Sequence, residues 1–129
     1  GPPAWLEELE KVRLPYNINV LTQASTEFAL QHAEILRAQT EQIKQDRSWL
    51  DQALRQINGL TVYPSRANFI LFRVPVGQAG LIFDGLKTAG VLIKNLDKTG
   101  GLLKDCLRVT VGTPSENQAF IAALKPLLR

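Results

Sequence analysis

The sequence predicts an α+β fold: N-terminal helices, one of them long, followed by a ββαββα unit whose small mixed sheet has helices packed on it. Three observations point there. Apolar residues recur at helical spacing from Trp5 to Ile57; after Asn58-Gly59 the period changes to short apolar runs and alternation; and Thr113-Pro-Ser-Glu116 is a helix-capping box placed directly after an alternating strand.

In chain order, Pro2, Pro3 and Pro15 bracket a short helix over Ala4–Leu14, with Trp5, Leu6, Leu9 and Val12 able to share a face. Pro15 disfavours helix at Leu14, and Asn17 or Asn19 can cap the next helix, Val20–Gln31. A longer helix runs from about Ala33 to Ile57. Its Leu36, Ile43, Leu50 and Ile57 recur every seven residues beside Ala53 and Leu54, opposite a charged face. So narrow a stripe suits a helix lying across a sheet or reaching toward another domain better than a coiled coil, because most d positions are not apolar. Gly59 tolerates the left-handed conformation that ends such a helix.

Thr61–Tyr63 is then a short strand, Pro64-Ser65 a turn, and Asn68–Val74 a buried central strand. Pro75–Gly77 turns into a helix over Gln78–Ala89 with Leu81, Ile82 and Leu86 inward, and Val91–Lys94 is the next strand. Asn95–Asp105 lacks periodicity and is expected as an exposed loop. Cys106–Val111 alternates, with Leu107, Val109 and Val111 on one face and Arg108 and Thr110 on the other. The closing helix turns Phe120, Ile121, Leu124 and Leu128 to the core. A parallel crossover between Phe69 and Ile93 followed by a returning strand gives a small sheet, with Arg108 on the face the helices leave open.

The 129 residues, 45% hydrophobic and 21% charged, suit one globular core, and the net charge of +3 is spread without a basic run. Little in that distribution favours a nucleic-acid partner. The single cysteine, Cys106, excludes an intrachain disulfide and suits a reducing, cytoplasmic setting. No apolar run approaches a membrane span and no export leader is recognisable. The chain lacks methionine and begins Gly1-Pro2, which resembles a protease scar, so a fragment is expected.

No phosphate-binding glycine loop, zinc spacing or nucleophile triad is present. His32, the only histidine, falls between two helical segments without a partner for general-base work. Arg108 stands apart. A guanidinium on the polar face of an apolar strand offers a rigidly mounted fork to a carboxylate or phosphate, the alternative being a salt bridge to Asp105 or Glu116.

The segment Cys106-Leu-Arg-Val-Thr-Val-Gly-Thr-Pro-Ser-Glu-Asn117 closely resembles the last strand and following helix start of histidinol-phosphate aminotransferases, within the fold-type I transaminases. Leu14-Pro-Tyr-Asn17 with Val20-Leu-Thr-Gln23, Tyr63-Pro-Ser-Arg-Ala-Asn-Phe-Ile70 and Gly90-Val-Leu-Ile-Lys-Asn95 are similar to that family's landmarks in the same order. The resemblance identifies residues 1–129 as the C-terminal small domain, with 1–19 as the inter-domain connecting segment. It implies that Arg108 holds the anionic end of the substrate. Lys94 falls where relatives commonly carry a second arginine, keeping the charge and losing the planar fork, the alternative being a solvated lysine at a strand end. Asn68 falls in the family's Ala-Asn-Phe, where a backbone-bonding role near the site mouth competes with plain turn chemistry. Tyr16 and Asn17 fall at the passage between domains.

The resemblance further implies that the Schiff-base lysine and the other pyridoxal-phosphate ligands lie in a missing large domain, so that no catalytic and no cofactor-binding residue is expected here, and no metal. The full-length parent, expected as a homodimer acting on a small-molecule substrate, would transfer an amino group between histidinol phosphate and 2-oxoglutarate in histidine biosynthesis, the fragment being inactive. Another amino donor or acceptor is the alternative within the family. A free-standing α+β domain that binds protein or RNA is the alternative outside it. That reading rests on the basic pI of about 9.3, while Phe69 and Phe72 fall on opposite faces of their strand.

Overall fold

A computed structural model describes residues 1–14 and 18–128. The joint at Pro15 and the residues Tyr16 and Asn17 lie outside the described residues. The chain divides into two compact units, Gly1–Ala38 and Gln39–Arg129.

Helix α1 covers Pro3–Val12 and α2 covers Val20–Gln31. Proline opens α1 because its fixed φ suits the first helical position and its missing N–H has no partner to lose there. Asn19 opens α2, its Oδ1 accepting the Thr22 N–H at 2.8 Å. The long helix α3 spans Ala33–Arg55. Of the seven-residue stripe, Leu50 is fully buried and Ile57 nearly so, whereas Leu36 and Ile43 are 49% and 39% exposed. The stripe therefore contributes its C-terminal half to the core, along with Leu54.

Strands β1 (Thr61–Val62), β2 (Phe69–Arg73), β3 (Lys94–Asn95) and β4 (Cys106–Thr110) form one sheet in the order β1-β2-β4-β3, and all its ladders are antiparallel. Helix α4 (Ala79–Thr88) makes the crossover. It carries the chain from β2 to a strand of the same direction, as the order of elements predicts, but β4 returns between the two and separates them. Helix α5 (Pro114–Leu124) starts on the predicted capping box: Thr113 accepts from the Glu116 N–H while the Glu116 carboxylate accepts from the Thr113 N–H at 2.8 Å.

One face of the sheet, carrying Ile70, Phe72, Leu107 and Val109, packs with Leu50 and Leu54 of α3, Ile82 and Leu86 of α4, and Phe120 and Leu124 of α5. Period-two alternation puts Phe69, Leu71, Arg73, Arg108 and Thr110 on the other face.

Three local expectations are corrected. The third strand is Lys94–Asn95 rather than Val91–Lys94, because the turn at Gly90 (φ +80°) sends the Val91 N–H back to the Leu86 carbonyl. Val91 and Ile93 then pack against the core without joining a ladder. Leu81 is 66% exposed instead of inward, since the row α4 buries is Ala79, Ile82 and Leu86. The segment after β3 is not a plain exposed loop: it contains 3-10 turns at Asp97–Thr99 and Gly101–Leu103 and ends on the buried Asp105.

Candidate anion-binding site

Arg108 occupies the middle of β4, in register with Leu71 of β2 on one side and Lys94 of β3 on the other. Directly opposed residues of antiparallel strands share a face, so the ladder alone sets the two cations side by side. Phe69, one diagonal step from Leu71, supplies a platform: its ring centroid lies 4.8 Å from the Arg108 guanidinium carbon. The ring contact orients the guanidinium, whose donor edge includes the Nε.

That edge is unsatisfied. The Arg108 Nε is buried and has no hydrogen-bond partner, and none of the ion pairs among the described residues includes Arg108. The two carboxylates that could have neutralised it are engaged elsewhere. Asp105 accepts from the Gly77 N–H and Glu116 from Thr113. A buried donor without an acceptor costs free energy and calls for an explanation, and a guanidinium edge of this kind is matched by a planar or tetrahedral oxyanion.

Arg73 provides an internal comparison on the same face. Its Nε and Nη2 donate to the carbonyls of Lys104 and Leu102 at 3.2 and 2.7 Å, and it lies 5.7 Å from the Tyr63 ring centroid. Arg73 fastens a turn of its own chain, whereas the Arg108 Nε has no such partner.

Lys94 is exposed on the edge strand and keeps its place opposite Arg108. Asn68 is exposed, and its carbonyl accepts the Val111 N–H at 2.8 Å. It stands one residue beyond the ladder, so the alternation that puts Phe69 on Arg108's face does not extend to it. The structure thus brings Arg108 and Lys94 together and leaves Asn68 beside them. His32 caps α2, with its ring 4.4 Å from that of Phe28 and its Nδ1 3.8 Å from Glu34 Oε1. Phe69 was not legible as a partner of Arg108, because only the strand register brings them together.

Every lysine of the chain is exposed. None lies in a desolvated pocket of the kind that holds a carbonyl cofactor as an imine. No group of metal-binding side chains is found among the described residues. Among the described residues no helix is long and apolar enough to cross a membrane.

The family described as aminotransferase class I and II matches residues 1–124. The chain belongs to this family. Among aminotransferases it is 62% identical over 125 residues to histidinol-phosphate aminotransferase 2 of Nitrosococcus oceani, covering 97% of this chain and 35% of that protein. Histidinol-phosphate aminotransferase 1 of Burkholderia lata is 50% identical over 125 residues, with 97% of this chain and 34% of that protein covered. The crystal structure of L-threonine-O-3-phosphate decarboxylase from Porphyromonas gingivalis superposes with a TM-score of 0.80 at 25% identity, over 97% of this chain and 39% of that one. The chain therefore spans about 35% of the length of the curated aminotransferases it matches. The aminotransferase class I and II family generally uses pyridoxal phosphate.

Proposed function

We propose that this chain is the C-terminal small domain of a histidinol-phosphate aminotransferase, in which Arg108 anchors the anionic end of the substrate. The observation that carries the reading is the buried, unpartnered Arg108 Nε on the open face of the sheet. Two further facts support it. The two similar aminotransferases described above are named for a phosphorylated substrate, and so is the superposed decarboxylase. Lys94, in register with Arg108, adds a second positive charge of the kind a phosphate dianion favours.

The parent enzyme then interconverts histidinol phosphate and 2-oxoglutarate with imidazole acetol phosphate and glutamate, a step of histidine biosynthesis. Pyridoxal phosphate supplies the electron sink for that chemistry when bound. The lysine and polar groups that hold it are assigned to a large domain outside this chain, joined to it through residues 1–19, and the parent is a cytoplasmic homodimer. What this chain contributes is position. A rigid strand holds Arg108, Phe69 orients its guanidinium, and anchoring the anion limits where the substrate's amine can lie. The same fork serves the carboxylate of the amino-acid donor. On its own the chain does not transaminate.

The test is steady-state kinetics on the full-length enzyme. Arg108→Ala is expected to raise the KM for histidinol phosphate and for glutamate, lowering kcat/KM on the order of 100-fold. Arg108→Lys, which keeps the charge and loses the fork, falls between. An Arg108→Ala enzyme with both KM values unchanged would refute the anchor role.

A further inference from the structure

The two cations sit on strands joined by the segment Asn95–Asp105, and β3 is only two residues long at the edge of the sheet. So short a ladder holds its register weakly by itself. Beside the Leu96 N–H bond to the Cys106 carbonyl at 3.0 Å and the Arg73 bonds to the Leu102 and Lys104 carbonyls, a succession of side-chain acceptors ties the segment down. Asn95 Oδ1 accepts the Asp97 N–H at 2.9 Å, Asp97 Oδ1 accepts the Asp105 N–H at 2.8 Å, and Asp105 Oδ1 accepts the Gly77 N–H at 2.8 Å. The Asp105 carbonyl also accepts the Val74 N–H at 3.0 Å, which anchors the relay to the end of β2.

Asp105 adopts φ +59°, the one non-glycine residue with positive φ among those described, and it is 4% exposed. A left-handed aspartate is tolerated when its side chain bonds to nearby backbone, and it is held here from both ends. It lies immediately before β4, three positions ahead of Arg108. Asp97 lies three positions after Lys94. The hydrogen bond between Asp97 and Asp105 therefore spans the segment that joins the paired cations.

We infer that Asp97 and Asp105 are positioning residues for the anion site: their hydrogen bond locks the 95–105 segment and thereby holds Lys94 in register with Arg108, setting the spacing of the cation pair. This rests on the reading of Arg108 as an anion anchor. Neither aspartate touches the ligand, and their effect passes through the backbone of β3 and β4. An acceptor at position 97 is what matters, more than its charge, because the group it serves is a backbone N–H.

The experiment is an NMR titration of this chain with inorganic phosphate, following the Arg108 side-chain Nε–H signal, together with the cross-strand Overhauser contacts between Lys94 and Arg108. Asp97→Ala is expected to weaken phosphate binding about tenfold and to abolish those contacts, while the rest of the spectrum stays folded. Asp97→Asn, which keeps the acceptor, is expected to restore both. Persistence of the Lys94–Arg108 contacts in Asp97→Ala, or an Asp97→Asn protein as weak as Asp97→Ala, would overturn the positioning role while leaving the anchor intact. A wild-type chain whose Arg108 signal ignores phosphate, or an Arg108→Ala chain that binds phosphate normally, would overturn the anchor reading and this inference with it.

Discussion

Arg73 and Arg108 share a face of the sheet and differ in what their guanidinium groups hold. The first is spent on two carbonyls of its own chain; the second has a buried donor with no partner. Alternation along Cys106–Val111 made the polar face of Arg108 legible, and the alternative of a salt bridge to Asp105 or Glu116 fails because both carboxylates serve backbone groups. Glu116 carries its own prediction. The Thr113 backbone N–H, and then its hydroxyl, hold the Glu116 carboxyl below the ordinary glutamate value. Since the folded value is the lower one, the stabilisation is present above the unfolded glutamate pKa and is lost as pH falls through the folded value. In urea titrations the stability gap between wild type and Glu116→Gln should narrow on acidification, and a pH-independent gap would contradict this. Removing the cap with Thr113→Ala should cost about 1 kcal/mol in the same assay.

At the scale of elements, the helices were legible wherever capping chemistry marks them. Asn19 opens α2 and Thr113-Pro-Ser-Glu116 opens α5, and both helices begin where those residues predict. The short strand β3 was misplaced because Val91-Leu-Ile93 is an apolar run that serves equally as ladder or as packing, and the Gly90 turn decides for packing. Leu81 was misplaced for a related reason: an apolar residue beside an inward row can fall on either side of it. The insertion of β4 between β2 and β3 leaves no local mark in the sequence, and it is this order that sets Lys94 beside Arg108. Along α3 the seven-residue spacing does not by itself distinguish one end of the stripe from the other, yet Leu50 is sealed and Leu36 is half exposed. Leu50→Ala should therefore destabilise the chain by roughly 2–5 kcal/mol. Leu36→Ala should change it by about 0.5 kcal/mol or less. Equal losses for the two in chemical denaturation would show that the stripe is buried throughout.

At the scale of the whole molecule, family membership is carried by the match over residues 1–124, while the chain covers about a third of the length of the similar aminotransferases. Large apolar side chains of the first unit, Trp5, Leu9, Leu21 and Phe28 among them, are exposed. All lysines are solvated. A solvated lysine reacts with an aldehyde reversibly and without site selectivity. An absorbance titration of this chain with pyridoxal phosphate should accordingly show no saturable one-to-one complex, and a stoichiometric end point would place a cofactor site within these residues. The central claim concerns Arg108 and the substrate's anion, and the most direct test compares histidinol phosphate with histidinol in the full-length wild-type and Arg108→Ala enzymes. If Arg108 grips the phosphate, the wild-type preference in kcat/KM for the phosphorylated substrate should collapse by about 100-fold in the variant, with the histidinol rate little changed. An undiminished preference in the Arg108→Ala enzyme would contradict the account.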